Sequence, residues 1–306
     1  MDLLQDLALA RFTVDRAAAL RNNPHWLEDA WDSPHTRIVL VNDGRVPVTD
    51  DFSLILIAPE AFAVSVDDVR EATFLLGIDD DHTYIGLLGY KDHLGEAAWV
   101  TLRDVGSHFE ARDVGLAVTA TALASWHHTH QYCPRCGAQT VISAAGWSRT
   151  CSADDTTHFP RTEPAMIVAV EDVQGRLLLG RRAEWPESWF STLAGFVEAG
   201  ESAETAVARE VFEESGVHID LMSLRYLGSQ PWPYPASLML GYRAVATTTD
   251  IAIQDAEMIE ARWFTHDEFE RACEARTLQL PNPASIAWRL IEHWFGTTMP
   301  REWSRA

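Results

Sequence analysis

The chain has 306 residues, 47% hydrophobic and 23% charged, an ordinary globular composition that excludes a fibre, a coiled coil and a disordered chain. Its 24 Lys and Arg face 45 Asp and Glu, and the formal net charge of -21 repels phosphate backbones, which argues against general nucleic-acid binding through a basic surface. An anionic substrate would therefore need something other than net charge to attract it, and a divalent cation is the usual answer.

The apolar runs at residues 55–58 and 166–170 fall far short of the roughly 20 residues that span a bilayer. The start, MDLLQD, is acidic and lacks a basic n-region, so no secretory signal is expected and the cytoplasm is the expected compartment. Residues 1–125 read as a small α+β domain. Strands are expected at 37–41 and 45–48, joined as a hairpin through Asn42-Asp43-Gly44, and again at 53–58 and 83–88. Residues 116–130 have the apolar spacing of a helix. Its Trp126, His127, His128 and His130 suggest a metal site, but a helix end with partly exposed imidazoles explains them as well.

Residues 126–162 carry Cys133, Cys136 and Cys151, three of the 4 cysteines, which in this context read as metal ligands before disulfides. Cys133-Pro-Arg-Cys136-Gly137 has the form of a zinc knuckle. From residue 163 to the end the pattern changes. Strands are expected at 166–170 and 176–179 around a turn at 172–175, and at 238–246. Helices are expected at 202–215 and 285–295. Strand-rich with inserted helices, this part reads as an α/β sandwich rather than a doubly wound sheet.

The chemistry concentrates in residues 195–217, GFVEAGESAETAVAREVFEESGV. Ser202 suits an N-cap and Gly216 a C′ stop. On the helix between them Glu210, Glu213 and Glu214 share one face, and like charges there repel. Arg209 offsets part of that repulsion, and hard cations bound by carboxylate oxygens account for the rest. A solvated acidic face would explain Glu-x-x-Glu-Glu alone. A chance match to the whole spacing is on the order of one in a million. The stretch resembles the Nudix hydrolase signature, G-x5-E-x7-R-E-U-x-E-E-x-G-U with U apolar, at every fixed position.

The resemblance implies a Nudix α/β/α sandwich and hydrolysis of a nucleoside diphosphate linked to another group. It implies Mg²⁺ or Mn²⁺ held by Glu210, Glu213, Glu214 and the Ala194 carbonyl, with Glu214 helping to deprotonate water and with Arg209 and Glu201 holding the ligands in place. A second element, SQPWPYPAS at residues 229–237, has three prolines that stiffen an extended backbone and two aromatics that project from it. A structural turn would explain it alone. After a Nudix signature it resembles the SQPWPFPxS element of the NADH pyrophosphatase family, with Tyr234 in place of Phe.

That resemblance spans about residues 125–300. It implies cleavage of NAD(H) to nicotinamide mononucleotide and AMP, with Gln230, Pro231, Trp232, Pro233, Tyr234, Pro235, Ala236, Ser237 and Ala287 touching the dinucleotide. Phe159 and Phe196 are candidates for stacking on a base, and Glu257 falls where the family has a further metal ligand. The N-terminal part matches loosely, and in the family it is a degenerate domain that helps to build a homodimer. The family expects a second Cys-x2-Cys, but position 154 is Asp154. A Cys3Asp zinc site, substitution by Asp155 or His158, and loss of zinc all remain open. Removal of NAD caps from RNA 5′ ends breaks the same bond. A non-catalytic dinucleotide sensor and a zinc-ribbon adaptor for nucleic acid are the other readings. The intact signature weighs against the sensor, and the acidic balance against the adaptor.

Overall fold

The computed structural model describes residues 3–254 and 256–305. They divide into two compact units: residues 9–162 with 232–236, and residues 3–8 with 163–231 and 237–305.

In the first of these units, β1 (Thr36–Val41), β3 (Leu56–Ile57), β4 (Thr73–Ile78) and β5 (Thr83–Leu88) form a sheet in the order β3-β1-β5-β4. β2 (Arg45–Val48) pairs with β6 (Ala98–Thr101). Short helices α1 (Trp26–Trp31), α2 (Val66–Val69) and α3 (Leu102–Val105) lie between the strands, and α4 (Ala111–Thr129) follows them. Alternation along β1 sends Val39 and Val41 to the core shared with α4, and Ile38 and Leu40 to the core with Phe62 and Val69.

The expected hairpin at Asn42-Asp43-Gly44 is reduced to its turn. Asp43 and Gly44 both have positive φ, and residues 42 and 45 exchange both backbone bonds. The ladder stops there because β1 is flanked on both sides, antiparallel by β3 and parallel by β5. The strand expected at 53–58 shrinks to Leu56–Ile57. His127 also departs from the expectation of a partly exposed imidazole, for it is buried against Phe74. The ribbon strands β7 (Thr140–Ser143), β8 (Ser148–Cys151) and β9 (Thr157–His158) form a separate antiparallel sheet. It is tied into this unit by Trp147 Nε1, which donates to the Leu75 carbonyl at 2.7 Å.

The other unit is a mixed sheet of β10 (Glu163–Glu171), β11 (Leu177–Arg182), β12 (Leu193–Phe196), β13 (Ile219–Trp232), β14 (Ser237–Ala246) and β15 (Met258–Phe264). The order is β13-β14-β10-β11-β15, with β12 paired to β10. β10 alternates cleanly. Met166, Val168 and Val170 pack with Val207 and Val211 of α5 (Ala203–Ser215). Ile167 and Ala169 face the opposite core, filled by α6 (His266–Glu274) and α7 (Ile286–Phe295). Helices on both faces of one sheet make the α/β/α sandwich. No described helix is long and apolar enough to cross a membrane.

Candidate active site

α5 begins where Ser202 Oγ accepts the Thr205 N–H at 3.2 Å, and ends at Gly216, whose φ of 74° suits a residue without a side chain. Its inner face, with Ala206, Val207 and Val211 fully buried, fixes the rotation of the helix on the sheet. That rotation presents Glu210, Glu213 and Glu214 to a cavity of about 820 Å³, which Ala194, Gly195, Arg182, Ser237 and Glu257 also line. A Cβ at Gly195 would lie 1.9 Å from the Glu210 carboxyl carbon, so a larger residue there would displace that carboxylate.

Two arginines organise the carboxylates. Arg209 Nε and Nη2 each donate to Glu201 at 2.9 Å, while Nη1 donates to Glu210 at 2.8 Å and Glu213 at 3.0 Å. Nη2 also donates to the Phe196 carbonyl at 2.9 Å, which ties the helix to the loop after β12. The Glu201 bond, with help from Glu210 and Glu213, holds the Arg209 guanidinium well above its ordinary pKa. The Arg209 bond in turn holds the Glu201 carboxyl below the usual range. Glu201 and Arg209 thus hold each other beside the helix glutamates.

The second arginine was not singled out by sequence reasoning. Arg182, at the end of β11, lies 3.6 Å from Glu214, donates to Glu257 at 3.1 Å and reaches the Ala194 carbonyl at 3.4 Å. These are three of the groups expected to hold a cation. The only available signal was a basic residue ending a buried strand, and many strands end that way. Because Arg182 and Arg209 each gather carboxylates, the glutamate face does not converge on one point. Among the described residues, the group of ligand atoms mutually within 4.8 Å is Cys133, Cys136, Cys151 and Asp154 instead.

Glu214 is 2% exposed, and its Oε2 accepts the Ala194 N–H at 3.1 Å. A buried carboxylate in a cavity lined by four further glutamates is the donor set that hard divalent cations select, so the residues fit such an ion. The Arg182 guanidinium stands in for part of that positive charge. Arg182→Met is expected to tighten Mn²⁺ binding about fivefold, since each displaced partly exposed ion pair is worth up to about 1 kcal/mol. Titration followed by electron paramagnetic resonance reads this directly. Unchanged or weaker Mn²⁺ binding would show that Arg182 does not compete for these carboxylates.

The remaining sequence candidates separate. Ser237 lines the cavity, and Phe196 at its edge is exposed. Phe159 is also exposed. Gln230 is fully buried and its Nε2 donates to the Ala284 carbonyl at 3.0 Å, while Ala287 is buried in the first turn of α7. Both therefore sit in the interior rather than on an open surface. Trp232 and Tyr234 belong to the unit of residues 9–162, where their rings meet edge-on at 5.4 Å beneath Arg103. The Tyr234 hydroxyl accepts the Arg103 N–H at 3.2 Å. Pro233, Tyr234 and Pro235 line a different cavity, wholly within that unit.

The cysteine segment closes into a knuckle. The Gly137 N–H returns to the Cys133 carbonyl at 2.9 Å, and Cys136 Sγ lies 3.4 Å from Cys151 Sγ. Burial pushes the Cys133 thiol up, but the N–H groups of Arg135 and Cys136 outweigh it and hold the thiol at about 6. The Cys151 thiol donates to Asp154, which falls to about 2. The Ala153 N–H opposes a rise at Cys151, yet burial and Asp154 carry that thiol to about 11. Three sulfurs and one carboxylate at this separation fit a tetrahedral zinc ion. Asp155 and His158 are not in the group.

Comparison with known proteins bears on both sites. Residues 161–287 match the NUDIX domain, and residues 128–159 match the NADH pyrophosphatase zinc ribbon domain. A Mycobacterium bovis protein named NAD-capped RNA hydrolase NudC is 43% identical over 300 residues, covering 94% of each chain. A human protein named NAD-capped RNA hydrolase NUDT12 is 37% identical over 336 residues, covering 92% of this chain and 71% of that one. Among solved structures, a Nudix hydrolase from Nitrosomonas europaea aligns with a TM-score of 0.43 at 21% identity, over 55% of this chain and 94% of that one.

Proposed function

Because the chain belongs to the Nudix hydrolases and carries the zinc ribbon domain of NADH pyrophosphatases, we propose that it hydrolyses the pyrophosphate bond of NAD(H), giving nicotinamide mononucleotide and AMP. The observation that carries the reading is the single cavity lined by Glu210, Glu213, Glu214, Glu257 and Ala194, with Arg182 and Arg209 balancing the carboxylates.

Mg²⁺ or Mn²⁺ held by Glu210, Glu213, Glu214, Glu257 and the Ala194 carbonyl would neutralise the diphosphate oxygens and lower the pKa of the attacking water. Glu214 is the proton acceptor: its Oε2 is fixed by the Ala194 N–H, and its Oε1 lies 3.6 Å from Arg182 on the cavity wall. Arg209 keeps Glu210 and Glu213 in register by bridging both to Glu201. Arg182, once released from Glu214 and Glu257, offers two parallel donors to a phosphate oxygen pair. Trp232, Tyr234, Phe159 and Phe196 are the flat surfaces offered to the rings of the dinucleotide, and Gln230, Pro231, Pro233, Pro235, Ala236, Ser237 and Ala287 are the further contacts that the family resemblance implies.

Zinc at Cys133, Cys136, Cys151 and Asp154 serves as a structural ion. We place the enzyme in the cytoplasm, acting as a homodimer. Removal of NAD caps from RNA is a second reading of the same bond cleavage, supported by the names of the relatives above. Incubation with NADH and Mg²⁺ or Mn²⁺ tests the main reading. Reduced nicotinamide mononucleotide and AMP are the expected products, whereas nicotinamide and ADP-ribose would mean glycosidic cleavage and overturn it.

Selectivity should reside away from the diphosphate, which every such substrate shares. Stacking on an aromatic platform is worth about 1–3 kcal/mol per base, so Trp232→Ala should lower kcat/KM for NADH by roughly tenfold or more. ADP-ribose hydrolysis should suffer less. Equal losses on both substrates would make Trp232 a structural support.

A further inference from the structure

The unit of residues 9–162 contains a second cavity, of about 990 Å³, that shares no residue with the diphosphate site. Arg149 lies in its wall and is 6% exposed. A buried guanidinium ordinarily has a carboxylate partner. Among the described residues this one has none within hydrogen-bond distance. Its Nε donates to Thr140 Oγ1 at 2.7 Å, Nη2 to the Thr140 carbonyl at 2.9 Å and Nη1 to His127 Nδ1 at 3.1 Å. Of the five N–H groups of an arginine, these three bonds leave two without a protein acceptor.

His127 cannot neutralise the charge. A guanidinium only donates, so Nδ1 accepts, and Nε2–H donates to the Gly146 carbonyl at 2.9 Å. Both ring nitrogens of the neutral form are thereby satisfied. Burial, with the Arg149 charge beside it, moves His127 down to about 4 and keeps it neutral.

A second, independent feature of the same cavity is Thr121. It is 1% exposed, lines the cavity, and its hydroxyl has no hydrogen-bond partner. A buried hydroxyl without a partner costs about 1–3 kcal/mol, which a ligand that supplies an acceptor recovers. Gln131, Gln139 and the edge of Tyr234 complete one side of the wall with amide and aromatic groups.

We propose that this cavity is a binding site for a small organic anion carrying a single phosphate or carboxylate, held by Arg149 and Thr121. The oxyanion takes the two remaining guanidinium N–H groups and the Thr121 hydroxyl, as charge-assisted bonds favour. The volume far exceeds a bare oxyanion, so the ligand has an organic body, for which the amides and the tyrosine ring are suited. Glu71 and Asp43 also line the cavity, alongside Arg45, and their carboxylates repel further negative charge. The site therefore selects one oxyanion group over a polyphosphate or a dinucleotide diphosphate.

Calorimetric titration of the full chain, without added Mg²⁺ or Mn²⁺, tests this with inorganic phosphate, benzoate, AMP and adenosine. AMP is expected to saturate with a Kd below about 1 mM, and adenosine to give no heat of binding. Stronger binding by benzoate than by AMP assigns the headgroup as carboxylate. Weak saturable binding of phosphate alone assigns it as phosphate. Arg149→Met should abolish binding. Because that change also removes the bonds to Thr140, Thr121→Val serves as the second variant. It conserves volume and should weaken AMP roughly three- to tenfold.

Thr121→Val should leave kcat/KM for NADH unchanged, whereas Glu214→Gln should abolish turnover and leave AMP affinity unchanged. Failure of this proposal and failure of the proposed reaction are thus read separately. No saturation by any probe up to about 10 mM, or AMP affinity indifferent to Thr121→Val, overturns the proposal. A parallel rise in KM for NADH would make the cavity part of the substrate site. Altered self-association of Thr121→Val in sedimentation would mean that a second copy of the chain fills the cavity. Either result also overturns it.

Discussion

Glu214→Gln is expected to lower kcat for NADH hydrolysis by roughly a thousandfold or more while leaving the fold intact. The substitution is nearly isosteric. Glutamine keeps an oxygen that can accept the Ala194 N–H, now made at 3.1 Å, so the link between α5 and β12 survives. What disappears is the negative charge. Glu214 is almost fully buried, so its charge acts in a medium where electrostatic interactions are strong, and solvent cannot replace it. The same change removes the proposed proton acceptor. Steady-state kinetics at saturating Mn²⁺ and a thermal melt together check both halves of the expectation. Turnover within tenfold of wild type, with an unchanged melting temperature, would reduce the glutamate face to a solvated helix surface.

Cys133→Ser should have the largest effect on stability. Cys133 is 2% exposed and belongs to the Cys3Asp group. Its thiol lies near 6, so it reaches the thiolate form with little cost before any cation arrives. Serine offers a hydroxyl that does not ionise in this range and is a poor zinc ligand. Structural zinc contributes about 10–16 kcal/mol in isolated zinc-finger peptides, because the site does not exist in the unfolded chain. Here the ribbon is also held by Trp147 and by the His127 bond to Gly146, so part of it survives without the ion. A loss of about 3 kcal/mol is expected, or roughly 6–12 °C in melting temperature for a unit of this size. Metal analysis of wild type should find close to one equivalent of zinc after purification without chelator. Less than about a tenth of an equivalent would mean that Asp154 has replaced the site rather than completed it.

The two expectations differ in what they disturb. On the proposed reading, Glu214 supplies a charge to the chemistry that the fold does not need, and Cys133 supplies a ligand to the fold that the chemistry does not touch. Measuring activity and melting temperature on both variants separates the two sites.

Much of this arrangement is legible from the chain alone. The boundaries of α5 follow from Ser202 and Gly216, and the burial of Val207 and Val211 follows from their spacing, because capping and helical periodicity are local properties. The spacing of Glu210, Glu213 and Glu214 places them on one face for the same reason. The turn at Asn42-Asp43-Gly44 is likewise local and forms as expected. Its continuation into a hairpin is not local, since that depends on which edges of β1 remain open, and β3 and β5 come from elsewhere in the chain. Arg182 entered the site only through tertiary structure. Nothing near it in sequence announces that β11 ends opposite α5 and the turn before β15, 32 and 75 residues away, where Glu214 and Glu257 lie. Arg149 and Thr121 are the same case. Each is unremarkable in its own element, and only the packing of α4 against the ribbon brings a buried charge and a partnerless hydroxyl to one cavity. The sequence by itself determined the helix, its carboxylates and the Cys133–Cys136 knuckle, because those depend on spacing over one or two turns of chain, whereas only the folded ribbon brings Asp154 rather than Asp155 or His158 to the three cysteines. The tertiary structure decided which cations offset those carboxylates and which polar groups were left without partners, because both depend on distances between segments far apart in sequence.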